Sequence, residues 1–265
     1  MEPIKVVIQG ALGKMGQEVA NAVCREADMK AVGAVDKNAA KGTAYDLPDG
    51  SEAIPLSNSL EDVVGSAQVV VDFSTAEGAM TAMRVAAAHQ VNVVIGSTGL
   101  TDANLQEAES LANEHKVGII VAPNFAMGAV LMIHLAKLAS RFFDYADLTE
   151  VHHEAKIDAP SGTALAIARA AVDGKGGSFI APKAEKETLA GTRGGDFDGV
   201  IIHSGRMPGR VAHHELVFGT LGQTLTLRHD SINRESFMPG VLMAIREAVK
   251  TPGLTVGLDK IMGLS

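Results

Sequence analysis

The segment that most constrains the fold is Ile4–Gly16, an apolar run followed by three regularly spaced glycines. Ile4–Ile8 has the composition of a buried strand, and residues 14–25 carry an apolar stripe at helical spacing. Glycines in the pattern G-x-x-G-x-x-G let the backbone between them turn tightly, and the helix N-terminus offers free N–H groups to an anion. The segment therefore predicts a strand–turn–helix that binds the pyrophosphate of a dinucleotide.

The next 110 or so residues repeat this alternation. Short apolar runs occur at Ala31–Val35, Val69–Val71, Val91–Ile95 and Val117–Val121. Between them lie Ala-rich helical stretches near 77–88 and 102–114, the second opened by Thr101 as an N-cap. Strand–helix alternation with continuous apolar strands is typical of a doubly wound parallel sheet.

Polar or small residues follow the predicted strands, at the edge where a parallel sheet binds ligands. Asp36 ends the second strand, where a carboxylate accepts hydrogen bonds from the adenosine ribose. Lys37 would attract the 2′-phosphate of NADP that Asp36 repels, so we expect NADH and NADPH both to bind, with NADH at least as good. The candidate cofactor-binding residues are Gly10, Ala11, Leu12, Gly13, Lys14, Met15, Asp36, Lys37, Phe73, Gly96, Ser97, Thr98, Ala122, Pro123, Asn124 and Phe125.

The pattern changes after residue 125. A helix is predicted near 127–141, with Leu131, Leu135 and Leu138 as core residues, and a second over the Ala-rich residues 164–171. Strand-like segments lie around 147–155, before the second helix, and around 199–204, 211–218 and 223–229, after it. No regular helices separate these later segments. We predict an α/β fold: a Rossmann-like domain over 1–125, to which a C-terminal segment at about 236–265 returns, and an α+β domain with a mixed or antiparallel sheet over 126–235.

Charge and composition exclude several classes of protein. The formal net charge of −8 argues against non-specific nucleic-acid binding, and no apolar run approaches the length of a membrane span. The single cysteine, Cys24, allows neither an intramolecular disulfide nor a cysteine-based zinc site. The first residues lack the features of a signal peptide, so we expect a soluble, cytoplasmic protein.

A second cluster of chemically active residues lies at 150–163. His152 and Lys156 are candidates for proton transfer near neutral pH, provided that burial or neighbouring charges lower the pKa of the lysine. Ser161-Gly162-Thr163 precedes a helical pattern and offers hydroxyl and N–H groups to an anion such as a carboxylate.

With this string the chain resembles the 4-hydroxy-tetrahydrodipicolinate reductase family, also called dihydrodipicolinate reductases, of lysine and diaminopimelate biosynthesis. The resemblance spans essentially the whole chain. Its motifs are the Gly10–Gly16 turn, Asp72-Phe73-Ser74, Gly96–Gly99, Ala122–Phe125, His152–Thr163, Arg193-Gly194-Gly195, Ile202-His203-Ser204, His213–Gly219 and His229-Asp230-Ser231. The segment His152–Thr163 is the most specific of them.

The histidine spacing leads us to expect no metal. The resemblance implies reduction of a small cyclic dicarboxylate by NADH or NADPH, with hydride transfer to ring C4. It implies that His152 is the catalytic acid/base and Lys156 the proton donor. It further implies that His153, Gly162 and Thr163 hold the substrate carboxylates, together with Ser161, and that the protein is a homotetramer joined through the second-domain sheets.

Strand geometry adds a condition to these roles. Residues four apart on a strand lie about 13 Å apart, at about 3.3 Å per residue. His152 and Lys156 therefore reach one small ring only if the chain bends, and we predict that residues 155–160 form a loop.

Several alternatives stay open on the residues alone. The pairs His152-His153 and His213-His214 could suggest zinc, but adjacent strand residues face opposite ways and the H-E-x-x-H spacing is absent. Two further classes are an oxidoreductase acting on another substrate, such as a semialdehyde or a sugar, and a non-catalytic redox sensor. Arg193, Arg206 and Arg210 are interpreted either as partners of an anionic substrate or, as the sequence favours, as solvated loop residues. His203, His213 and His229 are interpreted either as substrate contacts or, as the sequence favours, as hydrogen-bonded residues of the sheet.

Overall fold

The computed structural model describes residues 2–40 and 42–264. The described chain divides into two compact units, one formed by the residues up to Met127 together with those from Arg234 onward, and the other by Gly128–Asn233. The strands are β1 (Ile4–Gln9), β2 (Met29–Val35), β3 (Thr43–Tyr45), β4 (Ile54–Ser57), β5 (Val69–Asp72), β6 (Asn92–Ile95), β7 (Gly118–Val121), β8 (Tyr145–His152), β9 (Gly195–Phe197), β10 (Val200–Arg206), β11 (Ala212–Thr220), β12 (Gln223–Ser231) and β13 (Gly253–Val256). The helices are α1 (Lys14–Arg25), α2 (Ala76–Ala88), α3 (Asp102–His115), α4 (Met127–Ser140), α5 (Gly162–Lys175), α6 (Met238–Ala248) and α7 (Leu258–Ile261).

The first unit is built on a sheet with the strand order β13-β7-β6-β5-β1-β2-β4-β3. Its neighbouring strands run parallel except for β3, which is antiparallel to β4. Helices α2 and α3 pack their alanines against one face, where Val7, Val70 and Val93 contribute to a common core. Helix α1 packs instead with α6. The apolar strands are thus buried on both faces, which confirms the predicted doubly wound parallel sheet.

The C-terminal segment completes this sheet. Helix α6 packs against α1, β6 and β7, and β13 pairs in parallel with β7 from Gly253 to Val256. Arg246 on α6 forms ion pairs with Glu26 and with Asp28, 2.8 Å away, in the turn between α1 and β2. The segment is therefore an integral part of the first unit.

The second unit contains a mixed sheet with the order β12-β11-β8-β10-β9. Strand β10 is parallel to β8, whereas β11 is antiparallel to both β8 and β12. Alternate residues of β8 point into a core shared with α4 and α5, in which Leu148, Ile167 and Leu216 are fully buried. This sheet confirms the mixed alternative of the prediction.

One sequence expectation about an individual helix was wrong, and several short strands were missed. The leucines of α4 were predicted as core, but Leu131, Leu135 and Leu138 are 39%, 38% and 43% exposed, while Met132 is buried. The strands β3, β4, β9 and β13 were not predicted, because three or four residues carry too little periodicity to detect. Within residues 2–40 and 42–264, no helix has the length and apolarity that crossing a membrane requires.

Candidate active site

The glycine turn after β1 brings backbone close to backbone. Gly10 has a φ of 78°, and a Cβ placed there would overlap the carbonyl oxygen of Phe73. A Cβ on Gly16 would overlap the carbonyl oxygen of Gly10. Helix α1 starts from Gly13, and no side chain among the described residues caps it. The first-turn N–H groups therefore remain available to an anion, as a dinucleotide pyrophosphate requires.

Asp36 lies beside this turn. Its carboxylate accepts hydrogen bonds from the N–H of Leu12, at 3.1 Å, and from the N–H of Asn38, at 3.0 Å. The side chain is 9% exposed, whereas Lys37 is exposed. Each carboxylate oxygen keeps acceptor capacity for a ribose hydroxyl, and the backbone holds both in place.

The neighbouring strand ends meet at the same edge because β1, β5, β6 and β7 are parallel. The ring of Phe73, after β5, lies against Gly96, where a Cβ would overlap it, and 5.8 Å from the ring of Phe125. Ala122 is buried, Asn124 is half-buried, and Thr98 and Pro123 are exposed. The structure thus brings the predicted cofactor residues of four strands to one edge.

Asp72, at the end of β5, connects residues of this edge by hydrogen bonds. The fully buried carboxylate accepts hydrogen bonds from Gln9 Nε2 at 3.0 Å and from the hydroxyls of Ser74 and Ser97 at 2.5 Å. Burial raises the pKa of Asp72, against the opposing effect of these hydrogen bonds. This role of Asp72 was not predicted, although its position at the end of an apolar strand was a signal.

In the second unit, His152 ends β8 with its ring buried. Its Nδ1 contacts Glu150 Oε2, which belongs to the residue two positions earlier and therefore lies on the same face of the strand. Glu150 is fully buried. Glu150 was not among the predicted site residues, although its spacing of two from His152 on a strand could have indicated it.

Arg206 neutralises Glu150 from the neighbouring strand. In the parallel register of β10 and β8, Arg206 lies opposite His152. Its guanidinium nitrogens donate to the two oxygens of Glu150 at 2.9 and 3.1 Å. The interpretation of Arg206 as a solvated loop residue was wrong, because β10 continues to this residue.

The segment before α5 joins the same cluster. The Ser161 N–H donates to Glu150 Oε1 at 3.3 Å, and the Ser161 hydroxyl caps α5 by accepting from the Ala164 N–H at 3.1 Å. Ser161 Oγ also lies 3.2 Å from Nε2 of His214, a buried residue of β11. Gly162 begins the helix and Thr163 follows it, so the N–H groups that could hold a carboxylate start directly beside this cluster.

Lys156 and His153 lie beyond the end of β8. The Lys156 N–H donates to the carbonyl of His153 at 3.1 Å, forming a turn, and residues 155–160 lie outside strands and helices, which confirms the predicted loop. The Lys156 ammonium pairs with Asp158 at 2.7 Å and lies near enough to His152 for its charge to affect the imidazole. His153 is exposed.

Burial lowers the pKa of His152, and the charges of Lys156 and Arg206 add to this effect while Glu150 opposes it. Burial would raise the pKa of Glu150, but hydrogen bonds from Arg206, Ser204 and His152 hold it below its usual range. Burial also lowers the pKa of His214 to about 4. Near neutral pH the cluster therefore contains a carboxylate, a guanidinium and two neutral imidazoles.

Among the remaining histidines of the second sheet, His203 and His213 pair with carboxylates, whereas Nδ1 of His229 is buried without a hydrogen-bond partner among the residues that the structure describes. His203 lies 3.3 Å from Asp147, and His213 lies 2.6 Å from Asp230 on the paired strand. Across the described chain, no group of three or more His, Cys, Asp and Glu side chains is arranged to hold a metal ion.

Two family models together cover almost the whole chain. The model described as "Dihydrodipicolinate reductase, N-terminus" matches residues 4–125, and the one described as "Dihydrodipicolinate reductase, C-terminus" matches residues 128–262. The chain belongs to the dihydrodipicolinate reductase family. The two models divide it between the glycine-turn unit and the unit with His152 and Glu150.

Curated relatives and solved structures agree with this membership. The 4-hydroxy-tetrahydrodipicolinate reductase of Dehalococcoides mccartyi is 51% identical, over 100% of both chains. The enzyme of that name from Moorella thermoacetica is 40% identical, over 98% of both chains. A dipicolinate-bound dihydrodipicolinate reductase from Paenisporosarcina sp. TG-14 superposes with a TM-score of 0.86 at 39% identity, covering 98% of this chain and 99% of that one.

The fold also occurs in other dehydrogenases. An amine dehydrogenase from Mycobacterium smegmatis superposes with a TM-score of 0.66 at 17% identity, over 97% of this chain and 95% of that one. This likeness concerns the fold alone. The family itself is shown by the two family models, of which the C-terminal one includes residues 152–163.

Proposed function

We propose that the protein reduces 4-hydroxy-tetrahydrodipicolinate to tetrahydrodipicolinate with NADH or NADPH. Family membership makes it an oxidoreductase, and the observation that carries the specific reaction is the buried cluster of His152, Glu150 and Ser161 at the start of α5. In the net reaction the C4 hydroxyl leaves as water, one proton is consumed, and C4 receives a hydride.

The cofactor would be held by the first unit. The first-turn N–H groups of α1 bind the pyrophosphate, and the Asp36 carboxylate accepts hydrogen bonds from the adenosine ribose. The residues at the other strand ends, among them Phe73, Ser97 and Asn124, would contact the nicotinamide half. A bound nicotinamide supplies the hydride. Exposed Lys37 beside Asp36 supports the use of both NADH and NADPH.

The substrate carboxylates would be held by the second unit. The N–H groups at the start of α5, from Gly162 and Thr163, and the side chains of Ser161 and His153 provide donors. The ammonium of Lys156 donates the proton, and His152 exchanges protons with the ring substrate as acid/base. The relative from Paenisporosarcina, which binds the cyclic dicarboxylate dipicolinate, supports this substrate class.

The homotetramer belongs to the same proposal. The face of the second sheet opposite α4 and α5 carries paired charges, including Arg228 with Glu215 at 3.5 Å and with Asp230 at 2.8 Å. We propose that this face forms the interface between copies. Sedimentation equilibrium of the purified protein would give the mass of four chains if this is correct.

A coupled assay tests the reaction. Aspartate semialdehyde and pyruvate are supplied with the upstream synthase, and oxidation of NADH or NADPH is followed by absorbance. We expect oxidation that requires all three components and that dipicolinate inhibits. Absence of oxidation with both cofactors, from a preparation that binds NADH, would contradict the proposed reaction.

A further inference from the structure

Both oxygens of the buried Glu150 carboxylate have hydrogen-bond partners. Its two oxygens contact the ring of His152, the N–H of Ser161 and the guanidinium of Arg206, although the side chain is fully buried. Neighbouring inward positions of the same core, such as Leu148 and Leu216, are apolar. Replacing a buried ion pair with apolar residues is often neutral or stabilising, so stability alone does not account for Glu150 and Arg206 here.

The ionisation of Glu150 determines which ring nitrogen of His152 carries the proton. Arg206 keeps Glu150 ionised, and an ionised carboxylate only accepts hydrogen bonds. The contact with His152 therefore requires the proton on Nδ1. In the neutral ring that assignment leaves the lone pair on Nε2, which becomes the atom available for exchanging a proton with a ligand.

The same carboxylate also fixes the residue that opens α5. The Ser161 N–H bonds to Oε1, while the His152 ring bonds to Oε2. One rigid side chain thus sets the position of the acid/base group and of the helix start proposed to hold a substrate carboxylate. Catalytic groups gain most from being held in place before the substrate arrives.

We propose that Glu150, held by Arg206, is a positioning residue that fixes the Nδ1–H tautomer of His152 and anchors the Ser161 turn. The inference rests on the proposed function and deepens it. Glu150 acts through His152 and Ser161 and does not itself contact the substrate.

Glu150→Gln is the decisive variant because it keeps the shape of the side chain and removes its charge. We expect kcat to fall at least about tenfold, the usual scale for a general acid–base group. The limb of the pH–rate profile that belongs to His152 is identified as the one that His152→Gln abolishes. In Glu150→Gln this limb should move to lower pH by about one unit or more, because the carboxylate that stabilises the His152 imidazolium is absent. Besides Glu150, the groups facing His152 are Arg206, His214 and Lys156, and all three remain unchanged.

Two further variants separate positioning from folding. Glu150→Asp keeps the charge, so its pH–rate profile should return toward that of the wild type even if its rate stays low. Glu154→Gln changes an exposed carboxylate two residues beyond His152 and should leave both rate and profile unchanged. NADH affinity, measured by fluorescence, should stay within about twofold in all three, because the NADH site belongs to the first unit.

The outcomes are distinguishable. A Glu150→Gln profile that coincides with the wild-type profile overturns the positioning role, whatever the loss of rate. Nitrogen NMR of the wild-type protein labelled in histidine reads the His152 tautomer without turnover, and an Nε2–H tautomer also overturns it. A wild-type protein that binds NADH but oxidises none overturns the proposed function instead, and the NMR result then still decides the tautomer.

Discussion

At the scale of single residues, the two candidate proton-transfer groups differ in how firmly they are held. His152 is buried and bonded to Glu150, whereas Lys156 lies in a loop and pairs with the exposed Asp158. A flexible ammonium is suited to following a substrate, and a fixed imidazole to defining where the reaction occurs. The two residues therefore make different contributions to the proposed reaction.

Lys156→Ala should lower kcat by at least about tenfold while leaving NADH affinity unchanged, because it removes a proton donor from the second unit only. Steady-state kinetics in the coupled assay measure this change. Lys183→Ala, in an exposed segment of the same unit, is the matched control and should have the wild-type rate. A Lys156→Ala enzyme with near wild-type kcat would remove the catalytic role of this lysine.

Asp36→Ala should raise the KM for NADH more than the KM for NADPH. With NADH, the variant loses the hydrogen bonds between the carboxylate and the ribose. With NADPH, it also loses the repulsion between the carboxylate and the additional phosphate, and this gain offsets part of the loss. Comparing the two cofactors on the same variant corrects for any loss of active protein. Equal increases in both KM values would argue against this role.

The roles of Arg206 and His214 were missed for one physical reason, whereas Glu150 lies two residues before His152 on the same strand and had a local signal. Glu150, Arg206 and His214 come from three different strands, and only the register of β8 with β10 and β11 brings them together. Sequence motifs revealed His152 and Ser161, which lie within one segment. A contact between residues more than fifty positions apart has no local signal in a single sequence.

At the scale of elements, long strands and helices with clear periodicity could be predicted. Thr101 forms the capping box of α3 with Asn104, so a local interaction sets that boundary. The exposed leucines of α4 show the limit of such reasoning. Apolar residues at helical spacing predict an apolar face of the helix, but they do not show whether other residues of the same chain pack against that face.

Gly16→Ala tests the turn between β1 and α1. The added methyl group would overlap the Gly10 carbonyl and displace the turn, so we expect NADH affinity to fall at least tenfold and the free energy of unfolding to fall by about 1–3 kcal/mol. NADH titration and urea denaturation measure the two effects. Gly65→Ala adds the same methyl group where no atom lies within 4 Å and should change neither. Unchanged NADH binding in Gly16→Ala would contradict the role of this turn.

At the scale of the whole molecule, the buried His214 makes stability depend on pH. Its pKa is about 4 in the folded protein, against 6.5 as the usual value, so the unfolded chain binds more protons between these values. Stability should therefore rise from pH 4 to pH 6.5, and this residue alone should lower the free energy of unfolding by about 2 kcal/mol between pH 7 and pH 5.

Urea denaturation across this pH range, compared with His214→Gln, measures that contribution. The variant should show a smaller loss of stability on acidification, whatever its stability at pH 7. His89→Gln, at an exposed position, should retain the wild-type slope. Parallel slopes for the wild type and His214→Gln would show that burial of His214 does not control acid stability.

The position of β13 has a consequence for how the chain folds during synthesis. Strand β13 pairs with β7, and α6 packs on the same sheet, yet both follow the entire second unit in the chain. The second unit, contiguous from Gly128 to Asn233, has left the ribosome in full before the first unit has its last strand. The first unit therefore begins to emerge first during translation but finishes folding last. Its sheet edge at β7 stays accessible to chaperones until Gly253–Val256 emerge.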